Sequence, residues 1–269
     1  HITVDYRASD DINLYARVAR GYRSGGFNAR QPTSVANNIG LIPFKDETIT
    51  SYEFGFKTEF ADTVRLNGSA FYNVYKDQLV SLPIPITGGG SFGNAVVNAG
   101  KTNYWGFELE GRAALSNHLS LDGSLGFVKT TPKDFPQVTS TGINANAASL
   151  FTPGYAPKYT ANIGASYVRE IGGDAKLTAR VGYNYTSSFW MFGNRIASPF
   201  GIPTKGEARG LVDAQLRIDG IRVGGSGDGI SATIWTKNLT NKKYIIRSVD
   251  FGQLGYATTI YGDPRTFGL

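Results

Sequence analysis

Apolar and polar side chains alternate with a period of two along most of this chain, over stretches longer than ordinary soluble strands. A period of two sends successive side chains to opposite faces of a strand, whereas a helix needs a period near 3.6. Leu14, Ala16 and Val18 alternate with Tyr15, Arg17 and Ala19, and Tyr52, Phe54 and Phe56 alternate with Glu53, Gly55 and Lys57. Val64, Leu66, Ala70, Tyr72 and Val74 stand against Arg65, Asn67, Ser69, Asn73 and Asp77. Val212, Ala214, Leu216 and Ile218 oppose Asp213, Gln215, Arg217 and Asp219. Read this way from Ile2 to a last segment at Tyr261–Leu269, the chain holds about eleven strands, many of ten residues or more, against a usual length of roughly five to six.

The connections between these strands alternate in length. Short ones fall near 8–12, 60–63, 114–118, 170–174 and 222–229, and long ones near 24–46, 83–95, 130–156, 193–208 and 239–260. Short turns at one end and long loops at the other characterise a transmembrane barrel, the short turns facing the periplasm. In lipid every backbone N–H and C=O must be paired, so only helices and closed barrels cross, and a crossing strand needs roughly 9–11 residues. No stretch approaches the roughly 20 apolar residues of a membrane helix. The alternation alone fits a soluble β-sandwich equally well, because both give a period of two. Strand length, loop asymmetry and aromatic residues closing the apolar faces (Tyr22, Tyr72, Phe127, Tyr167, Tyr185) favour the membrane. The expected fold class is therefore all-β, a transmembrane antiparallel up-and-down β-barrel.

Composition removes several function classes. There is no Cys, hence no disulfide framework and no thiolate metal site, and the two His (His1 and His118) cannot build a His-rich cluster. The net charge of +6 is spread along the chain without a Lys/Arg run, which argues against nucleic acid. Gly88 to Gly93 satisfies a G-x-G-x-x-G spacing, but no helix follows and no βαβ unit surrounds it, so it reads as a loop. Hydrolytic outer-membrane enzymes need a His near the outer leaflet, whereas His118 sits in a short turn at the other end. Glu108 and Glu110 share a face and read as lumen charges that pair with Arg112 and its neighbours. No enzyme activity and no bound cofactor or metal is expected. No signal peptide is present, so an outer-membrane destination implies a leader that is processed or lies outside these residues.

Seven segments, in order, resemble the distal barrel of the TonB-dependent receptors. They are YARVARGYRSGGFN (Tyr15 to Asn28), ETITSYEFGFKTE (Glu47 to Glu59), AFYNVYKDQ (Ala70 to Gln78) and NAGKTNYWGFELE (Asn98 to Glu110), followed by FTPGYAPKY (Phe151 to Tyr159), KNLTNKKY (Lys237 to Tyr244) and YGDPRTFGL (Tyr261 to Leu269). Each is weak alone; the ordered set spans the chain. The resemblance implies that residues 1–269 are the carboxy-terminal portion of a barrel of roughly 22 strands, with the plug domain, TonB box and early strands absent. It further implies an outer-membrane receptor of a Gram-negative bacterium, with outer-membrane lipid around it. Such a receptor imports a scarce nutrient, foremost a ferric siderophore or similar iron chelate, and engages TonB through the plug. The alternative is a self-contained smaller barrel acting as a channel or surface enzyme.

Anionic chelates call for cations and apolar walls. Substrate binding is accordingly expected from Arg23 and Phe27 at the start of the first long loop, from Trp190, Phe192 and Arg195 in the fourth, and from Arg247, Phe251 and Tyr256 in the last.

Overall fold

The computed structural model describes residues 1–28, 43–85, 92–98, 100–139, 142–146, 148–192, 200, 202–222, 229–251 and 255–269. In chain order the strands begin β1 (Ile2–Arg7), β2 (Ile12–Arg23), β3 (Glu47–Phe60), β4 (Val64–Lys76), β5 (Leu79–Pro85) and β6 (Phe92–Asn98). They continue with β7 (Lys101–Ala114), β8 (Leu119–Pro132), β9 (Pro136–Thr139), β10 (Gly142–Asn146), β11 (Tyr159–Gly172) and β12 (Ala175–Thr186). The last are β13 (Arg209–Arg222), β14 (Gly229–Lys237), β15 (Ile245–Asp250), β16 (Ala257–Tyr261) and β17 (Thr266–Gly268). The one helical element described is a 3-10 turn at Ala148–Leu150, and no described helix could cross a membrane.

Eleven strands form one sheet in the order β1-β2-β3-β4-β7-β8-β11-β12-β13-β14-β17. Every adjacent pair is antiparallel, as an up-and-down meander requires. β2, β3, β4, β7, β8, β11, β12 and β13 each run 12–14 residues, enough for a bilayer. β1 and β17 pair with one neighbour each, so the sheet is open among the described residues.

Register carries one apolar face across the whole sheet. Leu14 lies opposite Phe56, Phe54 opposite Ala70, Ala70 opposite Phe107 and Phe107 opposite Phe127. Farther on, Ile163 faces Tyr183, Tyr183 faces Val212 and Leu216 faces Ile234. Directly opposed residues share a face, so these side chains form one continuous surface, and no second sheet covers it among the described residues. Phe54 is 55% exposed, Ile163 57% and Ile234 59%. A β-sandwich would bury this face under a second sheet; a single layer leaves it to lipid. That separates the two architectures that periodicity leaves open. The girdle residues Tyr22, Tyr72 and Tyr167 are exposed on this face. Phe127 is only 8% exposed, because Trp105, Phe107 and Tyr159 pack against its ring at 5.0, 5.4 and 5.1 Å.

Strand glycines make room for rings on neighbouring strands. Tyr15 lies over Gly55, where an added Cβ would stand 2.5 Å from the ring. At the irregular register of β13 with β14, Gly220 takes φ +73, a conformation that favours glycine, next to the Asp174 carbonyl.

Two expectations need correction. The final segment at Tyr261–Leu269 is not one strand: Tyr261 closes β16, and the last strand of the large sheet is β17, which starts at Thr266. The turn between them is fixed by Gly262, whose N–H donates to the Tyr244 carbonyl at 2.8 Å. The long connections are also not plain loops, since three carry hairpins of their own: β5 with β6, β9 with β10, and β15 with β16.

Candidate functional site

The second face of the sheet is polar. The same register that gathers the apolar residues brings Glu53, Glu108, Glu110, Arg112, Asp122, Arg180, Asp213 and Gln215 to the opposite surface. Arg180 grips Asp122 with both terminal nitrogens at 2.7 and 2.8 Å, and donates to Ser166 at 2.7 Å. Arg217 pairs with Asp219, which also accepts from Ser231. The Tyr15 hydroxyl donates to Glu53 at 2.7 Å. Glu110 accepts from the Asn67 amide at 2.9 Å, so its hydrogen-bonded neighbour lies across the strand on β4. A hollow of about 490 Å³ opens on this face between Arg180, Asn184, Gln215, Trp235 and Lys237. In a barrel this face lines the lumen.

At the long-loop end the connections are laced into a collar. The Asn28 side chain exchanges two hydrogen bonds with the backbone of Val96 on β6, at 2.9 and 2.7 Å. Asn98 does the same for Lys45, at 2.7 and 3.0 Å, and also donates to the Asp77 carbonyl. Phe135, 2% exposed, stacks on Phe151 at 4.2 Å with Val80 and Val97 against it, joining the β5–β6 hairpin to the 133–158 connection. The Tyr155 N–H donates to the Trp190 carbonyl, and Phe200 N–H to the Asp250 carboxylate on β15. The buried hydrophobic side chains Phe135, Phe189 and Met191 all belong to this collar, which is where the molecule keeps its small core. The collar also holds an aromatic and cationic group. Arg209 lies over the rings of Phe189 and Tyr244 at 5.7 and 5.0 Å, and Lys205 over Trp190 at 5.0 Å.

The candidate residues take different places here. Arg23 is tied to Glu47 at 2.7 Å; Glu47 is 4% exposed and also accepts the Leu79 N–H at 2.6 Å. Arg23 therefore holds the rim together with part of its charge already met. Trp190 is half-buried beneath Lys205, and Phe192 is half-buried nearby in sequence. Phe27 is 70% exposed. Arg247, Phe251 and Tyr256 share the β15–β16 hairpin: Arg247 is exposed, and Phe251 stacks on Tyr256 at 4.8 Å. Arg195 and the Gly88–Gly90 run lie outside the described residues. His118 is a turn residue whose Nδ1 meets the Val168 carbonyl at 2.9 Å.

Sequence reasoning missed Lys205 and Arg209, the cations that cap the collar aromatics. No motif contains them, and their partners are remote in the chain. It also quoted Glu47, Asn98 and Asn238 only as pieces of motifs. Asn238, 4% exposed with φ +49, donates to the Lys242 and Asp263 carbonyls at 2.9 and 3.1 Å and accepts the Lys242 N–H at 2.8 Å. Asn241 accepts the Arg265 N–H at 3.0 Å. The KNLTNKKY stretch is thus a knot that ties the end of β14 to the start of β17.

Residues 1–239 match the family model described as TonB dependent receptor-like, beta-barrel. The pesticin receptor of Yersinia pestis is 36% identical over 112 residues, which cover 41% of this chain and 15% of that receptor. The ferrioxamine receptor of Yersinia enterocolitica is 25% identical over 201 residues, 75% of this chain and 24% of the receptor. Among solved structures, the ferric yersiniabactin uptake receptor FyuA from Yersinia pestis superposes with a TM-score of 0.69 at 20% identity, over 98% of this chain and 35% of that one. The chain thus spans about a third of the solved relative's length and less of the two curated receptors.

Proposed function

Because the chain belongs to the TonB-dependent receptor family, as a portion of its β-barrel, we propose that it forms the carboxy-terminal part of the barrel of an outer-membrane receptor importing a ferric siderophore or similar iron chelate. The collar faces outward, the short turns face the periplasm, and the plug supplied by the rest of the receptor engages TonB. The observation that carries this reading is the collar itself, which gathers aromatic walls and cations above a polar lumen face. Chelates that carry negative charge need both. The curated relative named for ferrioxamine is the reason an iron chelate is the first cargo to test. Arg247, Phe27 and Tyr256 are the exposed candidates for first contact, with the half-buried Trp190, and with Arg195, as the further candidates. The chain performs no covalent chemistry in this reading. The rival reading, a self-contained channel or surface enzyme, requires β1 and β17 to close on each other, and they do not pair.

The test is uptake of radiolabelled ferric chelates by cells whose sole iron-chelate receptor is the full-length protein. We expect uptake of at least one chelate, and Arg247→Ala with Tyr256→Ala to weaken half-saturation roughly thirtyfold, the loss of two contacts of about 1 kcal/mol each at the mouth. Uptake equal with and without the receptor, for every chelate tried, would sink the proposal.

A further inference from the structure

Three residues of the Gly25-Gly26-Phe27-Asn28 run close the base of the first long connection, and Phe27 takes no part in the closure. Gly26 and Phe44 exchange both backbone hydrogen bonds, at 3.0 and 2.8 Å. Gly26 lies three residues beyond Arg23 and Phe44 three before Glu47, so this bridge keeps the β2–β3 register in which Arg23 faces Glu47. The closure is tight enough to need glycine. A Cβ on Gly25 would stand 2.3 Å from the Phe44 carbonyl oxygen, and one on Gly26 would stand 3.0 Å from the Phe44 ring. Asn28 fixes the other side of Phe27. Its Nδ2 donates to the Val96 carbonyl at 2.9 Å, and its Oδ1 accepts the Val96 N–H at 2.7 Å. A side-chain amide carries the same donor and acceptor as a peptide unit, so Asn28 pairs with β6 as a neighbouring strand would.

Phe27 stands between these two anchors and is 70% exposed. A single exposed aromatic is ordinary, but this one has both flanking residues pinned by pairs of hydrogen bonds. Other rings of the collar pair off, Phe135 with Phe151, Tyr155 with Phe189 and Phe251 with Tyr256, whereas Phe27 has no ring partner among the described residues. It lies an even number of residues from Arg23, so register puts it on the polar face. That face is turned to the lumen, where no acyl chain covers a ring.

We propose that Asn28 is a positioning residue that presents Phe27 as a preformed apolar contact at the mouth, and that the ring receives an apolar, carbon-rich part of the incoming chelate. The proposal rests on the import reading and deepens it. A contact fixed before the cargo arrives loses less freedom on binding than one that has to be ordered, and anchors on both sides of a single ring accomplish that. Asn28 itself touches β6 and need not touch the cargo.

The experiment has two arms, both on the full-length receptor. Amide exchange followed by mass spectrometry reads the clamp without any cargo. Asn28→Ala should open the Val96 N–H to exchange, and Phe27→Ala should leave it protected. Unchanged protection of Val96 in Asn28→Ala overturns the clamp. The second arm is uptake of radiolabelled ferrioxamine and of a ferric tris-catecholate by cells with this protein as their sole iron-chelate receptor. For whichever chelate enters, Phe27→Ala should raise the half-saturation concentration about tenfold with the maximal rate unchanged. Phe27→Leu, which keeps an apolar side chain, should raise it about threefold or less. Asn28→Ala should raise it several-fold alone but no further in the Phe27→Ala background, because a residue that acts only through Phe27 then has nothing left to position. Additive losses in the double variant overturn the proposal, as does wild-type half-saturation in Phe27→Ala. Uptake of neither chelate above that of cells lacking the receptor removes the import reading and the cargo contact with it, while the exchange result still decides whether Asn28 holds Phe27.

Discussion

Leu216 and Gln215 are neighbours in sequence that face different media. Leu216 lies opposite Ala179 and Ile234 on the apolar face and is 43% exposed, while Gln215 lies opposite Arg180 and Trp235 on the polar one. Near mid-membrane, arginine on the lipid face costs about 2–4 kcal/mol. We expect Leu216→Arg to cost that much in equilibrium unfolding of the full-length receptor in lipid, and Gln215→Arg far less. Equal losses would mean the faces are misassigned. A different kind of residue is Asn238, whose buried amide joins three backbone groups. Each group left unsatisfied costs about 1–3 kcal/mol, and φ +49 suits Asn better than Ala. Asn238→Ala should therefore lower the thermal midpoint and free the β14–β17 junction, seen as faster amide exchange at Thr236 and Lys237. Unchanged exchange there would remove the knot from the account.

At the scale of elements, legibility followed the reason each element forms. The long strands were readable because one face meets lipid and the other water, a demand repeated at every second residue from Ile2 to Lys237. The hairpins in the connections have no such uniform environment. β5 contains Pro83 and Pro85, residues that normally demote a strand, and β9 opens on Pro136. Their pairing rests on local register and on contacts from distant loops. Phe135 on Phe151 is the clearest such contact, and nothing near Phe135 in sequence announces it. Likewise Arg23 was legible as a rim cation but not as the partner of Glu47, which is fixed only once β2 and β3 pair. Phe135→Ala should therefore loosen the collar without unfolding the barrel. Limited proteolysis of the full-length receptor should cut within 79–98 or 133–158 faster, with the heat-modifiable gel mobility retained. Loss of that mobility would show that the collar and barrel are one cooperative unit.

For the whole molecule, the asymmetry of the two ends sets its orientation. Turns such as 61–63 and 115–118 are short, whereas the other end carries the collar. An epitope inserted beside Ile202, 78% exposed in the collar, should be reached by antibody on intact cells. One inserted between Ser116 and Asn117 should appear only after the outer membrane is opened. Labelling of the second in sealed cells would reverse the assignment. The hairpins inside the long connections also bear on the order in which the molecule is assembled. Each long connection has to traverse the bilayer before it can join its neighbours, and unpaired backbone is not tolerated there. β5 with β6, β9 with β10 and β15 with β16 pair their own N–H and C=O groups over a few residues, and hairpins form in about 1–10 μs. The contacts between connections, such as Tyr155 to Trp190, need two of them on the far side. On that physics the lacing would come after the strands have crossed, and a chain halted during insertion is expected to have complete strands beneath loops not yet joined.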